Sequence, residues 1–160
     1  GFSRVEHLFF QEILKRIMVD INHKFPIAGS LSEVFEAIST PAGLNSWWTL
    51  ESEGEPYGEC EYRFFFSEEN DWRAEVTHVE TDRSIEWVFT EAMPNWTGTR
   101  LRIDLEDKEG LTWVTFLHSG WETDGEHYRI SCFCWAMYLR LLKKYVETGT
   151  TVPYAERLDA

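Results

Sequence analysis

Apolar and polar positions change period along this chain, and the changes mark out its elements. Residues 1–18 (GFSRVEHLFFQEILKRIM) place Val5, Leu8, Phe9, Ile13 and Ile17 at roughly helical spacing, which predicts an amphipathic helix. In VDINHKFPI, Ile21, His23 and Phe25 alternate with Asn22 and Lys24, the period of a strand. Gly29-Ser30 then supplies a turn, and Ser30 followed by Glu33 has capping-box spacing. Leu31, Val34, Phe35 and Ile38 fall on one helical face, and Pro41 suits the first turn of a second short helix, PAGLNSWW. Residues 51–58 (ESEGEPYG) read as a polar loop.

Five more alternating runs follow: ECEYRFFF, WRAEVTHVE, SIEWVFT, TRLRIDLED and LTWVTFLHSGW. Short polar turns join most of them, as in an antiparallel meander, and a longer loop, EAMPNWTG, separates the third from the fourth. Each run keeps one apolar face and one polar face, so one side of the sheet is covered and the other is wet. Residues 124–147 contain no Pro; Ile130, Cys134, Met137, Leu141 and Tyr145 form one helical stripe beside a second of Trp135, Tyr138, Leu142 and Val146. Gly149 is the expected C-cap, and the tail TTVPYAERLDA is expected to be peripheral. The pattern predicts an α+β fold: a curved six-stranded antiparallel sheet wrapped round a long C-terminal helix, with two short helices between strands 1 and 2. Its division is an N-terminal helical extension (1–18), a domain (19–149) and a tail (150–160).

Composition narrows the function. A length of 160 residues suits one domain, and 43% hydrophobic with 27% charged residues is an ordinary globular balance. Lys plus Arg number 15 against 28 Asp plus Glu, a net charge of −13, which repels phosphate backbones and anionic head groups. No nucleic-acid partner and no membrane insertion are therefore expected. An odd set of cysteines, Cys60, Cys132 and Cys134, makes a poor disulfide framework and fits a reducing cytoplasm. The outlying quantity is aromatic content, 16%, with 8 Trp, 11 Phe and 6 Tyr.

The segments HKFPIAGSLSEVFEAISTPAGLNSWWT (23–49), SIEWVFT (84–90) and VTFLHSGW (114–121), with a last helix carrying Trp135 and LRLLKKYVETG, resemble the START-like, or SRPBCC, helix-grip superfamily. Within it the chain is most similar to the AHSA-type branch, related to the C-terminal domain of the heat-shock-ATPase activator. The resemblance implies a deep cavity between sheet and C-terminal helix. Relatives use it for lipids, sterols or polyketides, some as cyclases or aromatases, while others are carriers or chaperone activators. The fold does not choose among these.

The candidate site follows from the inward faces. Phe64, Phe66, Trp72, Trp87, Phe89, Phe116 and Trp135 all point inward by alternation, more rings than a compact core asks for, and bulky rings can wall an apolar cavity or fill it. Trp47 and Trp48 close the short helix pair and are expected at the cavity mouth, where indole N–H groups orient a flat ligand. His118, on the Phe116 face, and Tyr62 are the groups that move protons if the cavity is catalytic. Cys132-x-Cys134 with His127 is a weak metal pattern, because positions two apart on a helix diverge, and no metal or cofactor is expected. The leading expectation is a hydrophobic small-molecule partner, with a cyclase/aromatase-type enzyme as alternative and a co-chaperone-like partner of an ATPase after that. Self-association into a homodimer stays open.

Overall fold

The computed structural model describes residues 1 and 3–159, and residues 14–17 through their backbone alone. The chain runs α1 (Arg4–Ile17), β1 (Val19–Ile27), α2 (Leu31–Ser39), α3 (Pro41–Trp47), β2 (Glu51–Glu53), β3 (Glu61–Ser67), β4 (Asn70–Glu80), β5 (Ser84–Glu91), β6 (Arg100–Lys108), β7 (Leu111–Trp121), α4 (Glu126–Thr148) and a 3-10 turn (Tyr154–Asp159). Local chemistry explains the boundaries. Ser30 and Glu33 close a reciprocal capping box on α2, Thr40 caps α3 ahead of Pro41, and Gly149 ends α4 at φ +72°. Gly43 is needed where α3 crosses α2, because a Cβ there would lie 2.4 Å from the Glu36 carbonyl oxygen.

The expected six-stranded curved sheet wrapped round the last helix is corrected. The sheet has seven strands and is open, in the order β1-β7-β6-β5-β4-β3-β2, all antiparallel, with β1 and β2 as free edges. The added strand lies inside the segment read as loop. Glu51, Ser52 and Glu53 pair with Phe65, Phe64 and Arg63 through the backbone and carry no apolar residue, so alternation could not announce them.

The core lies on one sheet face, closed by α2, α3 and α4. Ile21, Phe64, Ala74, Trp87, Ile103 and Phe116 from the sheet meet Val34, Ile38, Leu44, Trp135 and Leu142 from the helices. Full burial of each large apolar side chain stabilises by about 1.5–3 kcal/mol. Side chains of α4 also reach the outer edge of β1: the Tyr128 hydroxyl donates to the Asp20 carbonyl, Lys143 Nζ donates to the Pro26 carbonyl, and the Ala28 N–H donates to Glu147. The tail is not peripheral. Arg157 is buried and donates to the carbonyls of Asn45, Thr49 and Val152, tying the end of α3 to the C-terminus. In contrast, Val5, Leu8, Phe9, Phe10 and Ile13 of α1 are exposed. That helix is held by its own capping box, in which the Ser3 N–H donates to Glu6 and the Glu6 N–H to Ser3.

Candidate functional site

The centre of the sheet–helix interior is filled. Trp47, Tyr62, Phe64, Trp87, Phe89, Phe116 and His118 are all buried there. Their rings interlock: Tyr62 and Phe64 meet Trp87 edge-on at 5.3 and 5.7 Å, and Phe116 lies 4.7 Å from Trp135. The polar handles of Trp47 and Tyr62 are consumed internally, while Trp87 Nε1 has no partner among the described residues. Trp47 Nε1 donates to the Ala37 carbonyl and the Tyr62 hydroxyl to the Ser39 carbonyl, so neither orients a ligand. Burial pushes the Tyr62 phenol far above its ordinary range.

His118 occupies the middle of a polar chain. Trp135 Nε1 donates to its Nδ1 at 3.1 Å, so the proton of the neutral ring sits on Nε2 and is donated to Thr99 Oγ1 at 2.7 Å. Thr99 Oγ1 donates in turn to the Trp96 carbonyl at 2.6 Å. Burial lowers the His118 pKa to about 3, which keeps the ring neutral. Both ring nitrogens are used, and their work is to tie the 92–99 loop to α4.

That tie positions the mouth of an open cleft of about 350 Å³. Four expected site residues line it: Trp48, Phe66, Trp72 and Trp135. The other seven, Trp47, Tyr62, Phe64, Trp87, Phe89, Phe116 and His118, do not. Trp96, Met93, Ile130, Tyr138 and Leu158 complete the apolar wall and were missed as site residues. Trp96 and Trp135 stack at 5.6 Å, and Trp72 lies 4.9 Å from Trp96. Trp96 Nε1 donates to Ser131 Oγ across the gap between loop and helix. A tryptophan in a loop with neither period 2 nor period 3.6 carries no sequence sign of its direction; Tyr138 and Ile130 stood on the two apolar stripes of α4, which was the available signal. The polar groups at the cleft are few: the Tyr138 hydroxyl, whose pKa burial pushes up to about 12, Asn70, and His127 Nδ1, which is 3.0 Å from Asn95. Cys134 also lines the cleft, and burial raises its pKa, so its thiol is not activated. Among the described residues, no group of three His, Cys, Asp or Glu side chains is placed to hold a metal ion, and Cys60, Cys132 and Cys134 are free thiols.

Residues 28–147 match the family described as Activator of Hsp90 ATPase homolog 1-like protein. The chain belongs to this family. The activator-homologue assignment agrees with the solution structure of the Aha1 dimer from Colwellia psychrerythraea, which is 30% identical, covers 82% of this chain and 98% of that one, and superposes with a TM-score of 0.75. Two more structures share the activator-homologue fold at lower identity. Protein SSP2350 from Staphylococcus saprophyticus is 23% identical, covers 84% of this chain and 96% of its own, and has a TM-score of 0.72. DynU16, from the dynemicin biosynthetic locus, is 20% identical over 82% of this chain and 48% of its own, with a TM-score of 0.71. No curated protein matches the chain. Among the described residues, no helix is long and apolar enough to cross a membrane.

Proposed function

We propose that this activator-homologue domain is a docking module for an ATPase chaperone of the Hsp90 kind, with the aromatic cleft as its contact point. One observation carries the reading: the interior is filled with rings, and the remaining apolar space opens at the surface, where an apolar side chain of a partner can enter. An exposed concavity walled by tryptophans has the character of an interface hot spot, in which large rings dominate binding. The reading also takes 19–149 as the working domain, 1–18 as an extension and the cytoplasm as its setting. The exposed apolar stripe of α1, together with the dimeric state of the Colwellia relative, supports self-association. The test is ATP turnover by a purified Hsp90-type ATPase with and without the chain. The expected result is a stimulation that Ile130→Asp at the cleft mouth abolishes. Turnover unaffected by the wild-type chain, or stimulated equally by the variant, overturns the reading.

A second reading keeps the cleft for a hydrophobic small molecule. A volume of about 350 Å³ with few polar groups supports it, since ligand sites run from about 300 Å³ upward. It predicts saturable quenching of tryptophan fluorescence by a flat aromatic ligand, lost in Trp72→Ala. A cyclase-type enzyme is less well supported, because both groups expected to move protons, His118 and Tyr62, lie off the cleft with their polar atoms engaged.

A further inference from the structure

A second concavity of about 340 Å³ runs between the free edge of β1 and α4 and shares no residue with the cleft. Its β1 wall is His23, Lys24 and Phe25; its α4 wall is Ala136, Leu139, Arg140 and Lys143. Among the described residues, no carboxylate lines it, although the chain carries a net charge of −13. The sheet arginines are paired: Arg63 and Arg73 share Asp71, while Arg100 and Arg102 meet Glu86. Among the described residues, Lys24 and Arg140 have no such partner. Lys143 is pinned across one end of the groove by the Pro26 carbonyl and Glu147, and its ammonium keeps a third proton to donate.

The edge of β1 adds a donor. Pro26 has no N–H and its carbonyl is taken by Lys143, so the even-numbered positions of this stretch turn away from β7. The Lys24 N–H therefore faces the open side. His23, whose ring packs against Phe116 at 5.9 Å, also lines the groove; burial lowers its pKa, and a hydrogen bond to the Cys132 backbone opposes that shift. Below these groups, Phe25, Ala136 and Leu139 form an apolar floor.

The geometry points to an anion site: the groove between β1 and α4 binds a carboxylate or phosphate borne on a short apolar stem, with Lys24, Arg140 and Lys143 on the oxyanion and Phe25, Ala136 and Leu139 under the stem. This site is independent of the docking function proposed for the cleft. It is tested by titrating the full chain, labelled for NMR, with hexyl phosphate, hexanoate, inorganic phosphate and hexanol. Saturable shifts at His23, Lys24, Arg140 and Lys143 are expected with hexyl phosphate or hexanoate, and the stronger of the two identifies the head group. Inorganic phosphate shifts the same residues more weakly, and hexanol does not. Lys24→Gln with Arg140→Gln, both exposed and unpaired, weakens binding about five- to ten-fold for each charge removed, and added salt weakens it further. Three results overturn the site: no saturable shift with either amphiphilic anion, an unchanged affinity in the double variant, or a hexanol response equal to that of the anions.

Discussion

Two sets of rings stand on the same face of one sheet and meet different ends. Tyr62, Phe64, Trp87 and Phe116 are enclosed; Phe66, two positions beyond Phe64 on β3, and Trp72, paired with Phe64 from β4, border the open cleft. Side-chain parity is the same in both sets, since alternation only selects a face. What separates them is where α4 and the tail stop covering the sheet. Aromatic content therefore reports a core first, and a site only where the cover runs out. Removing a ring from the enclosed set leaves a cavity that cannot collapse, whereas the rim set can relax into space already open.

Trp87→Ala is expected to have the largest effect, a loss of about 3–5 kcal/mol in denaturant unfolding. Trp87→Phe is expected to cost much less, because the Trp87 Nε1 is buried without a partner and its removal leaves no bond unmade. A Trp87→Ala loss no greater than that of Trp72→Ala would break the distinction between centre and rim.

The His118 chain sharpens the comparison, since it joins the two sets. The folded-state pKa of about 3 lies below the ordinary histidine value, so the unfolded chain binds a proton that the folded one refuses. Stability conferred by the neutral ring is therefore complete above the ordinary histidine pKa, near 6.5, and is lost as pH falls towards 3. The slope is about 1.4 kcal/mol per pH unit inside that window. Unfolding measured at pH 7.5 and at pH 5 is expected to show it, and His118→Gln, which does not titrate, to remove it. An unchanged slope in that variant would mean that other groups govern the acid response.

At the rim, Trp72→Ala is expected to cost about 1–3 kcal/mol, less than Trp87→Ala, while abolishing the cleft's response to ligand or partner. A loss of stability with full retention of binding would place the contact elsewhere.

How much of this could be read from the residues alone follows the same division. Six strands were legible because each buries one face and so alternates; Ser30 with Glu33 and Pro41 announced the helix starts; Gly149 announced the end of α4. Strand β2 was not legible, because an all-polar edge strand is held by backbone pairing alone. The curvature of the sheet was not legible either, since twist and closure depend on strand pairing and leave no periodic trace. Of the residues expected at the site, Phe66, Trp72, Trp48 and Trp135 line the cleft, and the other seven are packed away from it. Trp96 escaped because its burial rests on distant contacts with Ser131 and His118. Arg157 escaped because a lone arginine in a polar tail gives no sign that three carbonyls await it.

On the wet face, Asp71 offers a smaller contrast. Hydrogen bonds from Arg63, then Arg73, hold its carboxyl at about 2. A lowered carboxylate pKa stabilises above the unfolded value, and that stabilisation is lost as pH falls from about 4 to 2. The cluster is solvated and screened, so Asp71→Asn is expected to change stability at neutral pH by no more than about 1 kcal/mol, and less in high salt. A larger, salt-insensitive loss would show that the cluster is structurally more than a surface network.

The smallest effect on stability is expected from the other exposed apolar surface, α1. Val5, Leu8, Phe9, Phe10 and Ile13 are all exposed, outside the core, so in this structure their removal takes nothing from the packed interior. Deleting residues 1–17 is therefore expected to leave the unfolding free energy within about 0.5 kcal/mol of the full chain. A 14-residue helix is nevertheless marginal in water on its own, and a stripe of five large apolar side chains is a common mark of an association surface. The deletion should then remove self-association while sparing the cleft, which sedimentation at low and high protein concentration would read directly. A truncated chain that still dimerises would move the contact to the exposed apolar side chains of α4, Ile130 and Phe133, and so to the cleft mouth itself.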